Sequence, residues 1–272
     1  YGVSYNSYLI DDEMVALVDT VDICYFEVYL RKIKQVIGER PINYLIINHM
    51  EPDHSGSIRL IKQHYPEIII VGNKQTFGMI EGFYGVTGEQ YLVKEGDFLA
   101  LGHHKLRFYM TPMVHWPETM MTFDETDGVL FSGDGFGCFG TVDGGFLDTR
   151  INVDKYWGEM VRYYSNIVGK YGSPVQKALQ KLGGLPISAI CSTHGPVWTE
   201  NIAKVIGIYD RLSRYDADEG VVIAYGSMYG NTEQMAEAIA EELSAQGVKN
   251  IVMHNVTKSH PSYIIADIFR YK

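Results

Sequence analysis

Tyr44-Leu-Ile-Ile-Asn-His-Met-Glu-Pro-Asp-His-Ser-Gly56 is the stretch on which the fold turns. Its first four residues, Tyr44 to Ile47, form a short unbroken apolar run of the type found in strands covered on both faces, and the run empties into a polar loop. Side chains at the end of a buried strand are well placed for chemistry. His49, Glu51, Asp53 and His54 put four metal-ligand candidates into six residues. In extended backbone, positions i, i+2 and i+4 share one side, so His49, Glu51 and Asp53 are expected to converge. A polar loop whose charges meet only water is the plain alternative, and four donors crowded into one turn of chain weigh against it.

Working outward, three more loops, each after strand-like sequence, carry single donors. His115 lies in Pro112-Met-Val-His-Trp-Pro-Glu118, Asp134 in Phe131-Ser-Gly-Asp134, and His194 in Cys191-Ser-Thr-His-Gly-Pro196, at separations of 66, 19 and 60 residues. This order and spacing resembles the metallo-β-lactamase superfamily over about residues 1–213. The resemblance implies an αββα sandwich holding two metals at one edge between its sheets. Most members carry His-x-His-x-Asp-His, whereas Glu51 stands here in the second histidine's place. Imidazole-rich sites suit zinc, while a hard carboxylate favours iron or manganese and points to redox chemistry.

The wider sequence fits this frame. Short strands are expected at Tyr8 to Ile10 and Val15 to Val18, a helix over 25–38, a helix over 57–64, a strand at 68–71, a helix at 75–82 and strand-rich sequence over 91–131. A long helical region over 154–182, a strand from Ile187 to Cys191 and a helix over 200–213 complete a mixed α/β pattern with two sheets' worth of strands. The polar run Arg214 to Gly220 reads as a linker. Beyond it, Val221 to Tyr225, a loop over 226–232, a helix over 233–246 and a strand from Asn250 to Val256 form one βαβ unit, with a helix-like close at Phe269-Arg-Tyr-Lys272. The fold class expected is therefore α/β (α+β): a metallo-β-lactamase-like sandwich over residues 1–213, then the first part of a flavodoxin-like doubly wound domain over 221–272.

Gly226-Ser-Met-Tyr-Gly-Asn-Thr232 lies between that strand and that helix. Free amides and the helix dipole favour a phosphate there, Ser227 and Thr232 offer hydroxyls, and Gly230 permits close backbone approach. The loop also resembles the flavodoxin FMN-phosphate loop, which assigns Ser227, Met228, Tyr229, Gly230, Asn231 and Thr232 to cofactor binding. With a sandwich of the superfamily before it, the whole chain resembles a flavodiiron protein, one of the soluble oxygen and nitric oxide reductases.

The resemblance implies a function and a ligand set. Carried over by position, His49, Glu51 and His115 hold one iron, Asp53 and His194 the other, and Asp134 bridges; His54 matches a position that ligates in some members only. The implied reaction reduces O₂ to water, or NO to N₂O, with electrons arriving through FMN from rubredoxin or a flavin or deazaflavin reductant. A head-to-tail homodimer brings one subunit's FMN beside the other's irons. Trp116 is expected to wall the pocket, with Phe136 near it. Only two strands of the flavodoxin order are present, so this chain is expected to keep the phosphate cradle without gripping FMN tightly. The rival reading is a dinuclear zinc hydrolase of the same fold; a metal-stabilised scaffold without turnover is a third.

Composition excludes other classes. The chain has 272 residues, 46% apolar and 21% charged, with a net charge of −10 and no basic stripe, so neither nucleic acid nor an anionic membrane is expected as a partner. No apolar stretch approaches the roughly 20 residues of a membrane span. Three cysteines without a Cys-x-x-Cys pair argue against a disulfide framework and for a reducing cytoplasm. The chain opens at Tyr1 without methionine, and both ends read as cuts. His64, His103, His104, His254 and His260 are expected to be structural, as are Cys138 and Cys191.

Overall fold

The computed structural model describes residues 2–272. One sheet holds β1 (Tyr8–Ile10), β2 (Ala16–Val18), β3 (Tyr44–Ile46), β4 (Ile69–Gly72) and β5 (Gln90–Leu92) in that order, parallel except for the β1/β2 pair. The other holds β6 (Phe98–Ala100), β7 (Lys105–Met110), β8 (Met120–Asp124), β9 (Val129–Gly133) and β10 (Ala189–Ser192), antiparallel until β10 joins β9 in parallel. Both faces of each sheet are covered, which explains why β3 reads as a continuous apolar run. Leu45 packs outward with Leu17 and Ile70, while Ile46 packs inward between the sheets with Val18, Phe108 and Phe131.

Helices close the outer layers. Helix α1 (Phe26–Ile37) buries Phe26, Tyr29, Leu30, Ile33 and Ile37, spaced to form one stripe, against the first sheet, and reverses at Gly38. Helices α2 (Pro52–Ser55), α3 (Ile58–His64) and α4 (Lys74–Tyr84) follow on that side. Helices α5 (Asp154–Tyr163), α6 (Gly172–Leu182) and α7 (Ile202–Ser213) cover the second sheet. The layers are α, β, β, α, as expected.

The expected long helix over 154–182 is two helices. After α5 the chain makes a π-type turn, Tyr164–Val168, and at Gly169 it adopts φ +35, where a Cβ would lie 2.8 Å from the Ser165 carbonyl oxygen. Only glycine makes that exit without strain. Apolar periodicity runs on through the break because both helices face the same core.

Trp198 anchors that core. It is fully buried, stacks on Trp157 at 5.4 Å and donates its indole N–H to the Phe136 carbonyl at 3.2 Å. Trp198→Ala is expected to cost about 3–5 kcal/mol and to lower the melting temperature by about 10 °C. A shift of only a degree or two in thermal unfolding would remove Trp198 from this role.

The second unit pairs β11 (Val221–Tyr225) in parallel with β12 (Ile251–Asn255), joined by α8 (Asn231–Ala245), and ends with α9 (Pro261–Arg270). Tyr271, expected to be helical, is instead extended and bridges to Asp218. Helix α9 lies against α5: Arg162 donates to Ser262 Oγ at 3.0 Å with its guanidinium between the Phe139 and Tyr263 rings, and Asn166 donates to the Ser262 carbonyl at 3.0 Å. Among the described residues no helix is long and apolar enough to cross a membrane.

Candidate metal centre and phosphate loop

The strand directions dictate where the donors gather. Parallel β2, β3 and β4 end at the same edge as β7, β9 and β10, so the loops after β3, β7, β9 and β10 meet there. The edge is stitched across the two sheets. Met120 N–H donates to the Asn48 carbonyl at 3.0 Å, Asn48 Nδ2 to the Phe131 carbonyl at 3.3 Å, and Asn6 N–H to the Thr193 carbonyl at 2.8 Å.

All seven sequence candidates arrive at this edge, in two groups. His49, Glu51, His115 and Asp134 form the first, and Asp53, His54 and His194 the second, each with donor atoms within 4.8 Å of one another. The expected convergence holds for His49 and Glu51, whose Nε2 and Oε2 lie 3.4 Å apart, but not for Asp53. Pro52 opens the helical turn α2, whose Ser55 and Gly56 amides bond back to Glu51 and Pro52, and this swings Asp53 and His54 away from His49 and Glu51. The single motif therefore feeds both groups.

Asp134 lies between them. Its Oδ2 is 3.0 Å from His115 Nε2 and 3.6 Å from His49 Nε2, while its Oδ1 is 3.0 Å from His54 Nε2 and 3.6 Å from His194 Nε2. In the first group Glu51 Oε2 is 3.0 Å from His115 Nε2 and 3.4 Å from His49 Nε2, and those two ring nitrogens face each other at 3.2 Å. In the second, Asp53 Oδ2 is 3.3 Å from both His54 Nε2 and His194 Nε2. Donors about 2.1 Å from a central cation lie roughly 3.0–3.4 Å apart, so these spacings are close to the edges of two coordination shells sharing Asp134. His54 Nε2, the ring nitrogen that faces the cage, is buried without a hydrogen-bond partner among the described residues, as a donor awaiting a cation would be.

The electrostatics agree. Burial opposes charge on His49, but Asp134 and the Glu118 hydrogen bond outweigh it and push the imidazole up to about 10. His115 and His194 are raised against burial by Asp134 and Asp53 respectively. Hydrogen bonds from His115 and His49 hold Glu51 down to about 2. Asp134 is driven well below the usual carboxylate range despite its burial, first by His54 and then by His115 and His49. The cage draws positive charge, as protons or as metal.

A pH prediction follows with its sign. His49, raised in the fold, contributes stability below its ordinary range near 6.5 and loses it as pH climbs through about 10; Glu51, lowered, contributes above the ordinary carboxylate range and loses it towards about 2. The metal-free chain is expected to melt at progressively lower temperature from about pH 7 to pH 10, and the chain saturated with a divalent cation is not, because the cation replaces the protons. Differential scanning fluorimetry with and without chelator checks this; parallel curves would contradict it.

Sequence reading missed the groups that hold the ligands. Glu118 is fully buried with Oε1 2.9 Å from His49 Nδ1, and Thr193 donates its hydroxyl to Asp134 Oδ1 at 2.6 Å. His194 Nδ1 donates to the Ser4 carbonyl at 2.7 Å, and Asp19 Oδ1 accepts from the Asn48 and His49 amides at 2.8 and 3.3 Å. Thr193 and Glu118 stand beside motif residues and were open to notice. Tyr163, on α5, lays its ring 5.6 Å from His194 with its hydroxyl buried and without a hydrogen-bond partner among the described residues, and no local signal marks it. Trp116 packs edge-on to His49 at 5.2 Å. Phe136 does not flank it; its ring turns inward onto Tyr209 at 4.9 Å. Gly195 takes φ +82, with a Cβ there only 2.7 Å from Cys138 Cβ, so glycine lets the His194 loop close on the loop after Asp134.

The structural readings of the other residues are explained by their partners. His104 comes within reach of Asp124 and Asp127, yet its Nδ1 is hydrogen-bonded to Asp124 at 2.7 Å and the other Asp124 oxygen accepts the Thr126 amide, so the group fastens a turn. Cys138 donates to the Tyr156 carbonyl, and burial pushes the Cys191 thiol up to about 12.

At the far unit, the loop after β11 runs into α8 through Gly230 at φ +88, and Ser227 Oγ accepts the Gly230 amide at 3.0 Å. Among the described residues no N-cap side chain caps α8, which leaves its first amides, from Asn231 and Thr232 onward, open to an anion. Met228 and Tyr229 are exposed beside it.

Comparison with known proteins bears on both regions. The model of the ODP family beta lactamase matches residues 3–195, and that of flavodoxin matches residues 223–272. The anaerobic nitric oxide reductase flavorubredoxin of Vibrio vulnificus (strain YJ016) is 33% identical over 276 residues, covering 100% of this chain and 56% of the relative. The rubredoxin oxygen:oxidoreductase of Desulfovibrio gigas superposes with a TM-score of 0.94 at 30% identity, covering 99% of this chain and 68% of that one. The flavodiiron protein from Giardia intestinalis gives 0.93 at 29%, covering 97% and 65%. The chain spans about half the length of the curated relatives it matches. With a β-lactamase-type family matched over most of its length and flavodoxin matched directly after it, the chain belongs to the ODP β-lactamase family and to the flavodiiron proteins.

Proposed function

We propose that this chain is the catalytic part of a flavodiiron oxidoreductase that reduces O₂ to water, NO to N₂O, or both, at a non-haem di-iron site. The observation that carries the reading is the pair of donor groups meeting on Asp134, whose two oxygens face opposite sides. His49, Glu51 and His115 would hold one iron and Asp53, His54 and His194 the other, with Asp134 shared between them. When bound, two irons supply two electrons at once and a Lewis-acidic template.

The chain's own residues do the rest. Three carboxylates balance much of the charge of two divalent ions, and Thr193 fixes the bridging carboxylate's plane. Trp116 and Tyr163 flank opposite groups with apolar ring surface, which keeps bulk water off the imidazoles. The second unit fits FMN through the uncapped start of α8, with Ser227, Met228, Tyr229, Gly230, Asn231 and Thr232 forming the phosphate loop. Residues 1–213 are then the di-iron domain, 214–220 the linker and 221–272 part of the flavin domain. Rubredoxin, or a flavin or deazaflavin reductant, supplies electrons in the cytoplasm, and a head-to-tail homodimer juxtaposes flavin and iron.

Metal analysis tests this. Protein made with iron and zinc equally available is expected to carry two irons per chain, and the full-length enzyme to consume O₂ or NO when reduced anaerobically. Zinc occupancy with esterase turnover would replace this reading with the hydrolase.

A further inference from the structure

The imidazoles of the cage are not backed alike. Glu118 Oε1 lies 2.9 Å from His49 Nδ1 and accepts the Met50 amide at 2.9 Å, and the Glu118 and His49 side chains are both fully buried. Glu118 is itself pinned, since Asn73, the N-cap of α4, donates Nδ2 to its carbonyl at 2.6 Å. Its second oxygen, Oε2, is buried and has no hydrogen-bond partner among the described residues, so its contacts are spent on His49 and the adjoining amide. His194 Nδ1 instead meets a neutral carbonyl, that of Ser4, at 2.7 Å. His54 Nδ1 is buried and meets no partner among the described residues.

We propose that Glu118 is a positioning residue that makes the two metal positions unequal: the position bounded by His49, Glu51 and His115 fills first and holds tightest, and the position bounded by Asp53, His54 and His194 fills second and empties first. The inference rests on the reading of these residues as a dinuclear cage. A carboxylate on Nδ1–H fixes the tautomer that leaves the Nε2 lone pair facing the cage, and makes that nitrogen a better donor. Besides the shared Asp134, the first position is served by Glu51 directly and by Glu118 through His49, whereas the second has Asp53 alone. His54 Nδ1 has no partner behind it among the described residues, so this ring is held only from the cage side, by Asp134 and Asp53.

The experiment titrates the metal-free full chain with Co(II), whose visible spectrum and calorimetric heat resolve successive sites. The wild type is expected to show two separated steps. Glu118→Gln keeps shape and removes the charge; it is expected to weaken the first step by about tenfold or more, with the second changed by less than about twofold, so that the steps converge. Glu118→Asp, which keeps the charge, is expected to lie nearer the wild type. Circular dichroism and the melting temperature of the metal-free variants separate this from a folding defect. If Glu118→Gln does not fold, His54→Gln is expected to spare the first step and weaken the second. Equal weakening of both steps in Glu118→Gln, no weakening of either, or loss of the first step in His54→Gln overturns the proposal. A wild type that binds fewer than two ions defeats the dinuclear reading itself, a distinguishable result.

Discussion

Asp134→Ala is expected to reduce bound metal from about two ions per chain to one or fewer and to bring gas reduction by the full-length enzyme to background. Among the described residues no other side chain brings its oxygens to both groups. Its Oδ2 approaches His115 and its Oδ1 approaches His54, each at 3.0 Å, and removing it leaves four imidazoles with only the peripheral Glu51 and Asp53 for charge balance. Asp134→Asn separates charge from shape. The carboxamide oxygen can still accept from Thr193, which now donates at 2.6 Å, but cannot supply a second anionic oxygen. It is expected to retain the fold and still lose at least one ion. Metal analysis after gel filtration reads the result directly, and retention of two ions in Asp134→Ala would show that the groups are not joined through this residue.

Much of this candidate site is legible in the sequence because histidine and carboxylate residues stand just past the ends of particular strands. The apolar run Tyr44 to Ile47 marks a strand covered on both faces, observed as β3 over Tyr44–Ile46, and the donors at 49, 115, 134 and 194 each follow strand-like sequence. What escaped was geometry that no period encodes. The alternation argument holds for His49 and Glu51 but not for Asp53, because Pro52 starts a helical turn, and that turn is what lets one motif serve two positions. The break at Gly169 escaped because both flanking helices bury the same side. Glu118 and Thr193 were visible as residues but not as supports, since a buried carboxylate three positions past a ligand looks like any acidic loop residue until its burial is known. Tyr163 reaches His194 from a helix with no motif, so only the tertiary fold reveals it.

Glu51→His tests the one position at which this sequence departs from the zinc-type pattern. In the first group, His49, His115 and Glu51 stand as two imidazoles and one carboxylate around one position, with Asp134 behind; the two-histidine, one-carboxylate face is the arrangement associated with non-haem ferrous iron, and three imidazoles around an ion are typical of catalytic zinc. The substitution removes one negative charge and exchanges a hard oxygen for a borderline nitrogen, without touching Glu118 or Asp134. Glu51 retains about a third of its side-chain exposure (35%), so a larger ring has room to turn outward and the fold should tolerate it. The expected outcome is a rise of about tenfold or more in the zinc-to-iron ratio of protein made with both metals equally available, a melting temperature close to the wild type, and loss of oxygen or nitric oxide reduction in the full-length enzyme. An unchanged metal ratio would mean that selection for iron lies elsewhere, in the carboxylates shared with the zinc enzymes or in metal supply. A changed ratio with reductase activity retained would mean that the Glu51 oxygen selects the metal without contributing to the chemistry.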